Sequence, residues 1–223
     1  MSRPSDKSTG HIGGPLINTE IKLRYTGNIF EEFHSYYGEL YIKGPQVSTR
    51  YYGSAIRFEQ GWMPTGDLVA LIPDTGAFVF IDRLENIQKS RSGRCVCIQK
   101  LESLYRQSKC VAQICCFVNQ QVEGLIAVVV PNLEFVRTKW KTKKVERFCN
   151  SSEFTDLLLR DFLVIERIHK LKEHEKVVKV IVELEPWVSE DLVTQTLKIR
   201  RFKLRERYES QILAAIKEYL VNY

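Results

Sequence analysis

Gly61-Trp62-Met63-Pro64-Thr65-Gly66-Asp67 decides how this chain is read. It reads as a polar turn closing on a carboxylate, and a tight hairpin follows it. Leu68-Val69-Ala70-Leu71-Ile72 has the length and apolarity of a strand, Pro73-Asp74-Thr75-Gly76 is a turn, and Phe78-Val79-Phe80-Ile81 returns. The return strand ends on Asp82-Arg83. An acid just before the first strand and an Asp-Arg pair just after the second therefore share one end of the hairpin. A carboxylate only accepts hydrogen bonds, so it suits two hydroxyl groups, and an arginine supplies a rigid fork of donors. Together they suit a sugar-phosphate ligand. A surface hairpin with a capped turn accounts for the same residues without any ligand.

The chain has 223 residues, enough for one large domain or two small ones with their own cores. Hydrophobic residues make up 44% and charged residues 27%, an ordinary balance for a globular protein. The net charge of +6 favours anionic partners without singling out nucleic acid. Six cysteines, Cys95, Cys97, Cys110, Cys115, Cys116 and Cys149, show no C-x-x-C pairing and no histidine pair at zinc-ligand distance. That pattern implies a reducing compartment and no metal site. The longest apolar run, Leu125 to Val130, stops at Pro131, short of a membrane span, and no secretory signal is visible.

Residues 1–9 are polar, and disorder is expected there. Gly10 to Leu16 is too rich in glycine and proline for a helix or central strand. Ile21, Leu23 and Tyr25 alternate with charged neighbours as a half-buried strand does, and Glu39–Lys43 is a second short strand. After Arg83 the character changes. Ile98, Leu101, Leu104 and Tyr105 mark a short helix, and Val111–Val118 and Gly124–Val130 are apolar strands around Asn119-Gln120-Gln121. A second helix is expected to open at Asn150 with Glu153 as a capping box and to run to Leu171. Val177–Leu184 is a third strand, and the last helix carries Leu204, Tyr208, Ile212, Ile216 and Tyr219 on one side. The division is therefore a tail at 1–9, a β-rich part at 10–83 and a small α+β domain at 84–223.

Three further stretches carry charge in a pattern worth weighing. Lys139-Trp140-Lys141-Thr142-Lys143-Lys144 suits a phosphate, an acidic lipid surface or a nucleic acid strand, or is simply a solvated face. His169 and Glu173 are spaced to face each other on a helix, which a surface pair explains. Thr194-Gln195-Thr196-Leu197-Lys198-Ile199-Arg200-Arg201 precedes the last helix, where a lysine can reach a phosphate as a mobile point charge.

The order of these pieces carries more than any one of them. G-W-x-x-T-G-D at 61–67, D-R at 82–83, K-x-x-x-G-x-x-V at 89–96 and T-x-T-L-K-I-R-R at 194–201 follow at sensible separations. Supporting stretches are His11–Leu16, Gly38–Gly44, Lys100–Glu102 and Ile126–Pro131. This series closely resembles the C-terminal part of adenylate-forming, AMP-binding enzymes of the long-chain fatty acid–CoA ligase branch, from about Gly10 to the end. The resemblance implies an α+β fold: the mostly-β end of the large adenylate-forming domain, then a small α+β C-terminal lid domain. It implies activation of a fatty acid by ATP to an acyl-adenylate and transfer to coenzyme A. Fatty acid, ATP and coenzyme A are then the small-molecule partners and Mg2+ a cofactor whose ligands lie upstream.

Residue by residue, Asp67 matches the position that binds the ribose hydroxyls, and Arg83 one that contacts ribose and phosphate. Lys198 matches the adenylation lysine, which is both catalytic and nucleotide-binding. Glu85 stands at the hinge, usually Lys or Asp, and Gly93 in the coenzyme-facing loop. Asn86 and Arg94-Cys95 depart from the family pattern, so the second half-reaction is the one in question. The Ser/Thr/Gly-rich phosphate loop and the Tyr-Gly-x-Thr-Glu-like segment are absent from these residues. A fragment inactive alone, with unpaired strand edges prone to aggregate, is the expectation. A non-catalytic nucleotide- or coenzyme-binding remnant and an acyl–acyl carrier protein ligase are the alternatives. The location is expected to be cytoplasmic or peripheral on an intracellular membrane, with no nucleic acid partner; nothing in the residues sets the oligomeric state.

Overall fold

The computed structural model describes residues 9–24, 36–50, 52–53, 58–196 and 198–222. Residues 1–8 of the tail expected at 1–9, Tyr25 and Leu197 lie outside the described residues. The chain divides into two compact units, Met1–Ile87 and Gln88–Tyr223.

Unit one is an antiparallel meander of β1 (Glu20–Arg24), β2 (Tyr37–Lys43), β3 (Met63–Ile72) and β4 (Ala77–Arg83), paired in that order. Ile21 pairs with Ile42 and Leu23 with Leu40, so the apolar alternation of β1 continues across β2. The glycine-rich segment before β1 adds to the far edge: Ile12 N–H donates to Phe78 O at 2.7 Å and Phe78 N–H to Gly13 O at 2.9 Å. β3 starts earlier than the expected turn allows. The turn lies at Glu59–Gly61, where Gln60 and Gly61 take φ of 51° and 78°, and Met63–Pro64 already pair with Ile42–Tyr41. Proline fits near the start of a strand, where its missing N–H matters least.

Unit two is layered about a three-stranded sheet. β5 (Ile87–Lys89) and β6 (Cys95–Cys97) form a short ribbon that leads into α1 (Ile98–Tyr105). β7 (Val111–Val118) and β8 (Leu125–Pro131) are antiparallel. The chain then crosses over through α2 (Leu133–Trp140), α3 (Val145–Cys149) and α4 (Ser152–Ile168) to β9 (Val177–Val182), parallel to β8, and ends in α5 (Arg201–Asn222).

β8 reads as a continuous apolar run because both its faces are covered. Leu125, Ala127 and Val129 pack with Leu101, Tyr105, Phe154, Leu158 and Phe162 of α1 and α4. Ile126, Val128 and Val130 pack with Leu204, Tyr208, Ile212 and Ile216 of α5 and with Trp187. The strand period sends Cys116 into the first layer and Cys115 into the second.

α4 is capped by Ser151, whose Oγ accepts from Phe154 N–H at 3.3 Å, so the expected Asn150–Glu153 box does not form. Burial of Phe154 fixes the phase of the helix, and with it which of two adjacent capping residues serves. The helix ends at Ile168 and β9 at Val182. His169 therefore meets Gln107, and Glu173 pairs with Lys176, rather than each other.

Candidate functional site

The Thr65-Gly66-Asp67 stretch is a bulge in β3. Tyr41 pairs with Pro64 and Glu39 with Leu68, so β3 carries extra residues between them. Thr65 Oγ1 donates to Leu40 O at 2.9 Å and accepts from Asp67 N–H at 3.1 Å, one hydroxyl replacing the missing ladder bonds. Gly66 sits at φ 72°, a region where a Cβ costs roughly 1 kcal/mol. The bulge places Asp67 directly across from Arg83 of β4.

Arg83 Nε stands 3.1 Å from Asp67 Oδ1. That oxygen is buried and, among the described residues, has no donor aligned on it, so charge holds the pair rather than a directed hydrogen bond. The Arg83 side chain is 51% exposed and that of Asp67 26%, so the pairing adds little stability and both groups stay within reach of a ligand. Asp82 does not join them. It is fully buried, and its Oδ1 accepts from Arg83 N–H at 2.7 Å and Asn86 Nδ2 at 3.2 Å, which ties down the turn Leu84–Asn86. The clamp read from the sequence therefore reduces to Asp67 and Arg83. Trp62, which opens the motif, has Lys22 Nζ 4.4 Å from the centre of its ring and is committed to the sheet surface. Glu85 is exposed in the turn after Arg83.

In unit two, Gly93 takes φ 77° in a tight turn in which its N–H donates to Ser90 O at 2.9 Å. The turn is pinned to the β7–β8 connection: Ser92 N–H and Oγ bond Glu123 at 3.0 and 2.8 Å, and Gln120 Nε2 donates to Lys89 O at 3.0 Å. No atom lies within 4 Å of where a Gly93 side chain would begin, so that side of the turn is open.

Lys198 is exposed on a short loop before α5. Thr194 N–H donates to Lys198 O at 2.8 Å, Lys198 N–H donates to Thr194 Oγ1 at 3.1 Å, and Val193 bridges Ile199. The backbone is fixed at both ends while the ammonium, among the described residues, has no acidic partner.

What anchors the loop was missed by the sequence reading. Arg201 makes a bidentate pair with Glu102 of α1, Nη1 to Oε1 at 2.5 Å and Nη2 to Oε2 at 2.9 Å, and Nη1 also donates to Cys116 O at 3.0 Å. Cys116 N–H completes the carboxylate at 2.7 Å. Burial is the largest influence and pulls the guanidinium pKa down, but the hydrogen bonds to Glu102, its negative charge and the neighbouring Cys115 and Cys116 together outweigh burial and hold the pKa above the ordinary value. The one signal in the sequence is an acid placed in the apolar stripe Ile98, Leu101, Tyr105.

The layered sheet and the bulged hairpin match a segment of adenylate-forming enzymes of known structure. The adenylation domain of a carboxylate reductase from Mycobacterium chelonae is 28% identical, with a TM-score of 0.75 over 88% of this chain and 31% of that one. The AMP complex of O-succinylbenzoate coenzyme A synthetase from Bacillus subtilis shares the fold at 22% identity and a TM-score of 0.59, over 90% of this chain and 36% of its own. No protein-family model matches the chain. Among curated proteins, long-chain-fatty-acid–CoA ligase 6 of Rattus norvegicus is 31% identical over 95% of this chain and 32% of its own length. Long-chain-fatty-acid–CoA ligase 1 of Schizosaccharomyces pombe is 31% identical over 96% of this chain and 33% of its own. The chain is thus homologous to one segment of the long-chain fatty acid–CoA ligases and spans about a third of the length of the curated relatives it matches.

Proposed function

We propose that the chain supplies the nucleotide-facing hairpin and the mobile lid of a long-chain fatty acid–CoA ligase. The observation that carries this is the bulge that sets the Asp67 carboxylate against Arg83 while leaving both partly exposed. In the reaction, a fatty carboxylate attacks the α-phosphate of ATP and pyrophosphate leaves. The coenzyme A thiol then attacks the acyl carbon and AMP leaves.

Asp67 accepts hydrogen bonds from the ribose hydroxyls, and Arg83 donates to ribose and phosphate. Lys198, without an acidic partner among the described residues, offsets charge developing on the α-phosphate oxygens during adenylation. The turn holding Glu85 serves as the hinge, and the open side of the Gly93 turn faces the pantetheine arm. Among the described residues no three acidic, histidine or cysteine side chains gather as metal ligands, so no step is assigned to Mg2+. The acyl pocket belongs to the remaining two thirds of the longer relatives, and the chain alone is inactive.

The test joins this chain to those two thirds taken from a long-chain fatty acid–CoA ligase. Exchange of labelled pyrophosphate into ATP with a long-chain fatty acid is expected. Lys198→Ala is expected to slow that exchange roughly 10²–10³-fold, with thioester formation from preformed acyl-adenylate little changed. No exchange with any fatty acid, or equal loss in both half-reactions, would reject the assignment.

A further inference from the structure

The run from Lys139 to Lys144 plays no part in the ligase reading, and the fold turns its tryptophan inward and its cations outward, with Lys139 Nζ 4.6 Å from the centre of the Trp140 ring. Trp140 is half-buried, 5.7 Å from Phe148 and edge-on to Phe154 at 6.5 Å. The cations do the reverse. Arg137, Lys139, Lys141, Lys143, Lys144 and Arg147 are all exposed, and among the described residues none has an acidic partner.

Six cations stand against one acid, Glu146, between residues 137 and 147, a net +5 where the whole chain carries +6. α2 ends at Trp140 and Lys141 takes a left-handed φ of 48°, so the following lysines crowd a short turn before α3 instead of spreading along a helix. Like charges gathered this closely repel one another and destabilise the compact state. An anionic surface relieves that repulsion.

Beside the cations lies apolar surface. Lys139 and Lys109 line a shallow cleft of about 280 Å3 together with Phe135, Val164 and Ile165, and its polar wall is Gln107, Ser108 and Asp161, the last taking a hydrogen bond from Ser108 Oγ at 2.7 Å. On α4, Val164 is 56% exposed, and Ile168, one turn further along the same ridge, is 69% exposed. Aliphatic side chains flanked by lysines suit the boundary between headgroups and acyl chains. A nucleic acid strand would call for exposed aromatic rings to stack on, and here the tryptophan of the run is packed inward.

We propose that this face of unit two docks on a bilayer bearing anionic headgroups. The lysines of residues 139–144 meet the headgroup phosphates, and Val164 and Ile168 enter the acyl boundary.

The 223-residue chain is sedimented with phosphatidylcholine vesicles, with and without phosphatidylserine. Binding is expected only with phosphatidylserine and is expected to fall as salt rises. Lys139→Gln with Lys143→Gln should weaken it about 25-fold, near fivefold per cation. Val164→Ser with Ile168→Ser should weaken vesicle binding severalfold while leaving retention on inorganic polyphosphate unchanged. All four sites are exposed, and an unshifted melting midpoint confirms that each variant is folded. Absence of vesicle binding, indifference to phosphatidylserine, or a serine pair that binds as before would overturn the proposal. Retention of a single-stranded oligonucleotide as tight as that of vesicles would give the face to nucleic acid instead.

Discussion

A buried carboxylate destabilises a fold unless its oxygens are supplied with donors, and Glu102 draws them from two directions. Arg201 reaches it from the start of α5 and Cys116 N–H from β7, so the pair joins three elements. Glu102→Leu alone leaves a buried guanidinium uncompensated and should cost about 3–5 kcal/mol in urea unfolding. Adding Arg201→Met should recover much of that loss; a double variant no more stable than the single would show that the charges are not coupled. Tyr208 gives a second prediction. Burial, followed by the hydrogen bond to Glu183, pushes its hydroxyl up to about 12 from an ordinary value of 10.0. The folded state therefore holds this proton more tightly than the unfolded chain does. The contribution is intact below pH 10 and drains away as pH rises toward 12. Tyr208→Phe should be less stable at neutral pH by about 1–2 kcal/mol, since Glu183 and Trp187 Nε1–H lose a partner. The gap between the two proteins should narrow across that alkaline window, as followed by chemical denaturation.

At the scale of elements, the bulge in β3 rests on one hydroxyl and one glycine. Thr65→Val removes the acceptor for Asp67 N–H and the donor to Leu40 O, and should cost about 1–2 kcal/mol. Gly66→Ala should cost about 1 kcal/mol through its left-handed φ. Both are read from denaturant midpoints, and both should weaken nucleotide binding in the joined enzyme by displacing Asp67. This bulge also shows where the sequence stops being legible. β4, β7 and β8 were readable because burial writes apolar runs directly into the chain. The bulge leaves no period, because a side chain does the work of the ladder, and seven residues that look like a turn are mostly strand. α2 and α3 went unread because a left-handed Lys141 and two short lengths blur any helical repeat. Asp67, Arg83, Gly93 and Lys198 were singled out from motif order. The Glu102–Arg201 anchor, 99 residues apart in the chain, has no local pattern to find.

Over the whole molecule the two units differ in how much they bury. Both large apolar clusters among the described residues lie in unit two, one on each side of its sheet. Unit one has a meander with an apolar groove of about 350 Å3 lined by Ile12, Ile21, Leu40, Ile42, Met63 and Phe78. Residues 88–223 should therefore unfold cooperatively when expressed alone, while residues 1–87 should aggregate, as circular dichroism and gel filtration would show. Fused to a foldable partner, residues 1–87 still contain the hairpin but lack every layer that surrounds the sheet of unit two. That sheet carries its own pair of reporters. Cys115 and Cys116 are neighbours in sequence, fully buried, and point into opposite layers. Burial raises both thiol pKa values, so neither reacts until its own side opens. Pulsed alkylation read peptide by peptide would time the departure of α5 by Cys115 and the parting of α1 and α4 by Cys116, giving the order in which the layers peel away.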